Sequence, residues 1–246
     1  MKKRIVLLST LSILLFSCDT MQPLVGELGR AILEEPTTAV PTEFEMGSGL
    51  KEALIKGTKE GVANLSLEGG FLDNPMVKIP FPEEYDKVAN TLRDIGLGNQ
   101  IDQVELSLNR AAEDAVIEAS PLFVNAITSM TIQDAQEILF GGKNAATNFL
   151  RAKTTDDLIV AFSPKISQSL DQVNATKYWS DVTNVYNKIP FVTKVDGDLT
   201  NYVTTKTIDG LFLKIAQEEE EVRENPIERT SSILKKVFDY AATKTQ

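Results

Sequence analysis

Apolar residues between positions 101 and 130 recur every three or four residues, the spacing of one buried face of an α-helix. The residues of this stripe are Ile101, Val104, Leu108, Ala111, Ala115, Ala119, Leu122, Ala126 and Met130. Because alanine lets a neighbouring helix come close, we expect the stripe to lie at the centre of the fold. Pro121 interrupts it, and we expect Ser120 to cap a second helix that begins at Pro121.

The same helical spacing recurs along the rest of the chain, and no convincing alternating strand pattern is visible. Residues 50–65 form one amphipathic segment, and Gly69-Gly70 follows its end. Capping residues and prolines predict five further helix starts, which we place at Thr131, Thr154, Pro164, Asp198 and Asn225. We therefore expect residues 145–151 to be a short separate helix, and Ile227 to lie in the last helix. The predicted fold is all-α, a compact multi-helix bundle.

The first eighteen residues have the pattern of a bacterial lipoprotein signal peptide. Lys2, Lys3 and Arg4 precede an apolar stretch, residues 5–15, that is too short to span a bilayer as a stable helix. Leu15-Phe16-Ser17-Cys18 then resembles a lipobox, and Cys18 is the only cysteine of the chain. We expect residues 1–17 to be removed and Cys18 to carry several acyl chains such as palmitate, which together give stable anchoring.

These features predict three regions. Residues 1–17 are the signal peptide, residues 18–48 are the lipidated N-terminus and a flexible tether, and residues 49–243 are the helical domain. The tether contains Pro23, Pro36 and Pro41. We expect the domain to face the periplasm from the bacterial cell envelope. Asp19 resembles the inner-membrane retention signal of enterobacteria. That rule does not hold in all phyla, so the sequence does not distinguish between the inner and the outer membrane.

Composition excludes several kinds of function. The chain has no histidine, which removes serine–histidine and cysteine–histidine catalysis and the commonest metal ligand. Three of the 25 basic residues lie in the predicted signal peptide. The processed chain would keep 22 basic and 35 acidic residues, which is a net charge of −13. Such a charge repels phosphate backbones, and we expect no nucleic-acid binding. We also expect no metal and no cofactor.

The central stripe carries the best candidate site. Asn109, Arg110 and Glu113 are polar residues in an alanine-lined segment, and Arg110 lies one helical turn from Glu113. They form either an exposed ion pair or a buried polar network that could bind an anionic group. Glu113 and Asp209 are the two candidate carboxylate partners of Arg110. Two further candidate ligand-binding residues are Arg151 and Tyr202.

Two other polar patterns in the sequence are weaker. Asn144, Thr147 and Arg151 share a helix face after Gly141-Gly142, where they could bind a phosphate or carboxylate at a helix N-terminus or form a cap and a polar face. The acidic run at residues 218–221 lacks the spacing of a calcium loop. We interpret it as a solvated face on which Glu219 pairs with Arg223.

A set of short motifs resembles a known bacterial family. They are Gly49-Leu50-Lys51-Glu52-Ala53-Leu54, Asn74-Pro75, Lys78-Ile79-Pro80, Leu108-Asn109-Arg110-Ala111-Ala112-Glu113, Met130-Thr131-Ile132, Asp134-Ala135, Ala145-Ala146-Thr147, Tyr186-Asn187, Pro190-Phe191, Asp209-Gly210-Leu211-Phe212, Arg223 and Asn225-Pro226. Together they are similar to the family catalogued as domain of unknown function 4197, over about residues 49–238. The resemblance implies a helical envelope protein without an assigned activity.

Three functions are compatible with these patterns. The first is a non-enzymatic envelope lipoprotein that acts structurally or binds an envelope protein partner. The second is a helical pocket for a small amphiphile or lipid, lined by apolar side chains and by Arg110, Arg151 or Tyr202. The third is an enzyme that uses Asp or Glu, which we do not expect because no nucleophile–base pair is visible.

The state of Arg110 can be tested by mutation. We predict that Arg110→Ala destabilises the domain more than Arg93→Ala, whose arginine we interpret as exposed. The loss should be on the order of 3 kcal/mol for a buried pair and below about 1 kcal/mol for an exposed one. Chemical denaturation of both variants measures the difference. Equal and small losses would place Arg110 on the surface.

Overall fold

The computed structural model describes residues 40–81, 89–90, 93–188 and 198–244. The predicted signal peptide, Cys18 and the tether up to residue 39 lie outside the described residues. Within the described ranges every regular element is helical, which confirms the predicted all-α class. Among these helices, none combines the length and the apolar character that a membrane span requires.

The described ranges contain eight α-helices. They are α1 Glu43–Leu65, α2 Gly98–Val116, α3 Ala119–Thr128, α4 Ile132–Leu139, α5 Ala145–Gln172, α6 Ala175–Tyr186, α7 Leu199–Glu224 and α8 Ser232–Ala242. A short π-helical turn, Arg93–Leu97, precedes α2, and a 3₁₀ turn, Pro226–Glu228, lies between α7 and α8. Helix α1 begins at Glu43, upstream of Gly49, where Thr42 and Glu45 form a capping box.

Helices α5 and α7 pack against each other and form the middle of the bundle. Helix α2 contacts both of them, while α1 lies across α7 and also contacts α3, α4 and α8. Four phenylalanines are fully buried in the core: Phe71, Phe123, Phe162 and Phe212. The rings of Phe123 and Phe212 meet edge to face, with their centroids 5.9 Å apart. These contacts connect α3 to α7 through the centre of the domain.

Six of the nine residues of the central stripe are buried, and Val104, Leu122 and Ala126 are partly buried. The stripe is divided into two helices, as predicted, but the division lies elsewhere. Helix α2 ends at Val116 and α3 begins at Ala119, so Ser120 is a helical residue and does not cap α3. Pro121 is the third residue of α3. A helix leaves its first amides without an intrahelical acceptor, so proline costs no hydrogen bond there. The break therefore precedes Ser120-Pro121.

The prediction of three helices between residues 145 and 172 is wrong, because α5 is continuous. The Thr154 hydroxyl donates to the Leu150 carbonyl at 2.8 Å instead of capping a new helix. Leu158, Phe162, Ile166 and Leu170 remain buried along one face. Pro164 lies inside the helix and has no amide hydrogen, so the Val160 carbonyl lacks its helical donor. Val160 is 74% exposed, which lets water reach that side of the helix. Packing of the apolar face thus outweighs the local stop signals.

The last helix begins later than predicted. Asn225 accepts a hydrogen bond from the Ile227 amide and starts only the 3₁₀ turn, while Ser231 caps α8. Ile227 is 83% exposed and does not belong to the core. Leu234, Val237 and Phe238 of α8 are buried. The capping signal at Asn225 was therefore correct for a turn and wrong for the helix.

Two helix glycines should respond in opposite ways to alanine. In α1, a Cβ on Gly57 would meet Glu218 Cβ at 3.4 Å, so Gly57→Ala should stabilise the domain by up to about 1 kcal/mol through helix propensity. In α7, a Cβ on Gly210 would lie 2.9 Å from the Phe71 ring and 3.2 Å from Val77. Overpacking should make Gly210→Ala destabilising by about 1–2 kcal/mol. Urea denaturation of both variants checks this, and a stabilising Gly210→Ala would contradict the packing.

Candidate functional site

The polar residues of the central stripe face the segment that follows α1, residues 66–81, which we call the anchored loop. Asn109 is fully buried and the Glu113 side chain is 4% exposed, whereas the Arg110 side chain is 34% exposed. All three lie on α2, with Asn109 and Glu113 one turn apart. The site is therefore a line of polar groups between a helix and a loop.

Asn109 binds both backbone groups of Ile79. The Ile79 amide donates to Asn109 Oδ1 at 2.8 Å, and Asn109 Nδ2 donates back to the Ile79 carbonyl at 2.8 Å. The same Nδ2 also donates to the Glu105 carbonyl within α2, at 2.8 Å. The side-chain amide thus replaces a strand partner for Ile79, and burial leaves none of its polar atoms without a partner.

Glu113 likewise binds backbone amides near the beginning of the anchored loop. Its Oε1 accepts the amides of Phe71 at 3.1 Å and Leu72 at 3.3 Å. Its Oε2 accepts from Arg110 at 2.5 Å, and the other terminal nitrogen of Arg110 reaches Glu68 at 2.6 Å. The Glu113 carboxylate raises the pKa of Arg110 above its usual value. The buried charge of Glu113 is thus paired and fully hydrogen-bonded.

The opposite side of the anchored loop rests on α7. Phe71 and Val77 pack over Gly210, where the missing side chain leaves room for them. The Tyr202 hydroxyl donates to the Pro80 carbonyl at 3.1 Å. The loop is therefore held between α2 and α7, and Tyr202 contributes to that arrangement.

Asp209 and Arg151 form a separate pair. Arg151 contacts Asp209 at 3.2 Å and stacks over the Phe212 ring at 4.4 Å from its centroid. Of the two candidate partners of Arg110, Glu113 is the one that it contacts, and Asp209 is engaged by Arg151. Sequence spacing could indicate the first pair, since its members share a helix, but held no signal for the second.

A second polar cluster connects α7 to the turn between α4 and α5. Glu219 is buried and accepts the amides of Ala146 at 3.2 Å and Thr147 at 2.9 Å, together with the Thr147 hydroxyl at 2.8 Å. These are first-turn donors of α5, where a negative charge is favourable. The sequence suggested a bound phosphate or carboxylate at this helix N-terminus, and the carboxylate found there is that of Glu219. Arg151, which was grouped with Thr147, contacts Asp209 instead.

Arg223 completes this cluster from the other side of the turn. Its Nε donates to Glu219 at 2.8 Å, and its two terminal nitrogens donate to the carbonyls of Leu139 at 3.3 Å and Ile138 at 2.8 Å. These carbonyls end α4, where a positive charge is favourable. The predicted pairing of Glu219 with Arg223 is confirmed, but Glu219 is buried instead of lying on a solvated face.

Arg229 repeats the arrangement at the end of α7. It is buried and donates to the carbonyls of Val222 at 3.1 Å and Arg223 at 2.7 Å. It also contacts Asp239 on α8. Sequence reasoning missed Arg229 because its main acceptors are backbone carbonyls, which no residue pattern marks.

Two further residues of the acidic run face cations of the same chain. Glu218 pairs with Lys214 at 2.7 Å, and Glu220 pairs with Lys143. Within the described residues, no three Asp, Glu, His or Cys side chains are grouped as a metal site requires. The run therefore acts in helix–helix contacts and local ion pairs.

Comparison with known proteins agrees with the motif resemblance. Residues 40–239 match the model of a family described as a protein of unknown function, DUF4197. The chain belongs to this family. No curated protein and no solved structure matches it significantly. The DUF4197 match starts just before α1 and ends within α8, so it covers both polar clusters.

Removing the buried Glu113 carboxylate of this DUF4197 domain should cost more stability than removing an exposed carboxylate. We predict that Glu113→Ala lowers the free energy of unfolding by about 3 kcal/mol, because it leaves the buried Phe71 amide and the partly buried Leu72 amide unpaired. Asp209→Ala removes an exposed pair and should cost below about 1 kcal/mol. Chemical denaturation compares the two variants. If both cost the same small amount, the anchored loop does not depend on Glu113.

Proposed function

We propose that this protein is a lipid-anchored protein of the bacterial cell envelope, whose helical domain acts structurally or by binding a protein partner and has no enzymatic activity. The observation that carries this proposal is the engagement of the candidate site. Asn109 and Glu113, the strongest polar candidates in the sequence, bind the backbone of the anchored loop. A buried polar group that is satisfied by its own chain offers little to a substrate.

The membrane attachment is supported by the N-terminal sequence. Cys18 follows Leu15, Phe16 and Ser17 in the lipobox order, and α1 begins at Glu43. The stretch between them contains Pro23, Pro36 and Pro41 and is long enough to hold the domain away from a bilayer surface. With a net charge of −13 after processing, the chain suits a neutral or basic protein partner better than an anionic one.

The packing of the domain favours this role over the binding of a small amphiphile. A cavity of about 20 Å³ lies between α1, α7 and α8 and is lined by Leu50, Leu54, Ile215 and Phe238. That volume suits about one water molecule, whereas pockets for organic ligands occupy roughly 300 Å³ or more. Two larger clefts, of about 240 and 390 Å³, are open at the surface and include several acidic side chains of α7, which suits an apolar ligand poorly.

Membrane attachment is tested by replacing the lipidated residue. We predict that Cys18→Ala abolishes lipidation and releases the protein from the membrane fraction, because no other anchor is expected. Ser17→Ala, which keeps a small residue before the cysteine, is the matched control and should stay membrane-bound. Fractionation with a high-salt wash, combined with the intact mass of the purified protein, measures both. A Cys18→Ala protein that stays in the washed pellet would refute the anchor.

The partner role requires a separate measurement. Native mass spectrometry of the protein, extracted gently from its own membranes, should show a complex with a second protein. A stoichiometric small amphiphile, in addition to the acyl chains on Cys18, would support the pocket hypothesis instead.

A further inference from the structure

The predicted tether joins the domain at the start of α1, where two large apolar side chains are exposed. The described chain begins at Val40, and Thr42 caps the helix that follows. Val40 is 64% exposed and Phe44 is 75% exposed, whereas Pro41 between them is buried. Apolar surface is therefore presented to solvent within four residues of the point where the tether reaches the domain.

The ends of α4 and α8 lie beside the start of α1. Lys236 of α8 donates to Glu45 at 2.7 Å. One helical turn further along α8, the ring of Tyr240 meets that of Phe140 edge to face, with the centroids 6.2 Å apart. Phe140 directly follows α4, and both rings are partly exposed. We call this end of the domain the tether face, and we define it by Val40, Phe44, Phe140 and Tyr240.

Lysines border the tether face, although the chain as a whole is acidic. Residues 232–244 contain three lysines and one acidic residue. Lys235 and Lys244 are exposed, and the Lys244 ammonium lies 5.6 Å from the centre of the Tyr240 ring. Of the two acids in the first turn of α1, Glu45 is paired with Lys236. Aromatic rings edged by lysines are typical of protein surfaces that lie at the boundary between a bilayer and water.

The predicted tether keeps this face within reach of lipid. Residues 18–40 span about 25 Å as a flexible chain, since the root-mean-square length grows with the square root of the number of residues. Headgroups then surround the domain at an effective concentration in the millimolar range or above, so a face with only weak affinity is enough to bring the domain onto the surface. The tether permits this contact without enforcing it, and the composition of the face decides.

We propose that the tether face is a membrane-contact surface, which rests on the phospholipid bilayer that holds the acyl chains of Cys18. Val40 and Phe44 enter the boundary between headgroups and acyl chains, while Lys235 and Lys244 lie among the lipid phosphates. The contact gives the domain a fixed orientation on the membrane. This inference rests on the proposed membrane attachment and extends it from the N-terminus to the domain.

Site-specific fluorescence tests the orientation. In the lipidated full chain the Cys18 sulfur carries lipid, so an introduced cysteine is the only free thiol and takes an environment-sensitive dye. Thr243→Cys places the dye beside Lys244, far from the tether in sequence. Val160→Cys is the control, because Val160 is as exposed as Phe44 but lies about 22 Å along α5 from the turn after α4. In vesicles of phosphatidylethanolamine and phosphatidylglycerol, lipids brominated near the headgroup should quench the dye at 243 at least threefold more than at 160.

Replacing one exposed side chain then tests the apolar contact itself. Phe44→Ser should lower the quenching at position 243 at least threefold, and Val160→Ser, a matched loss of exposed apolar surface, should leave it unchanged. Helical circular dichroism of both variants should equal that of the parent chain. Equal quenching at 243 and 160, or no effect of Phe44→Ser, would overturn the proposal. Loss of a protein complex with Phe44→Ser, without loss of quenching, would assign the face to a protein partner instead.

Failure of this inference is distinguishable from failure of the membrane attachment. A domain that makes no contact would still float with the vesicles through its acyl chains, and the intact mass would still show them on Cys18. If the purified protein carries no acyl chains, the proposed attachment fails, and the membrane-contact surface is rejected with it.

Discussion

Buried carboxylates that bind backbone amides of distant segments hold this domain together. Glu219 accepts the first amides of α5 and also pairs with Arg223, which in turn binds the last carbonyls of α4. One ion pair on α7 therefore fixes two helix ends and the turn between them. Unsatisfied helix ends are costly when buried, and oppositely charged side chains at the two ends also match the helix dipoles.

Hydrogen bonds from buried polar side chains to the backbone also explain the motif at residues 108–113. Asn109 and Glu113 resemble a binding site in sequence because they are polar residues in an apolar stripe, but their partners are the backbone groups of Ile79, Phe71 and Leu72. The motif is thus needed for the anchored loop.

Local signals were interpreted correctly where the partner lies within one helical turn. Thr131 and Asp134 form the predicted capping box, and Asp198 caps α7, because both bonds close within three residues. The same signals failed at Thr154 and Asn225. At Thr154 the apolar face of α5 continues without interruption, and its burial exceeds the modest gain of a cap.

The sequence by itself determined the all-α class, most of the helices, the buried central stripe and the family, because these depend on periodicity and short-range spacing. Only the tertiary structure decided that Glu219 is buried and that Asn109 and Glu113 bind the anchored loop. It also decided that Arg229 joins α7 to α8. In each of these cases the partner is a backbone group or a residue on another element. A side-chain pattern carries no information about backbone partners that the fold brings together.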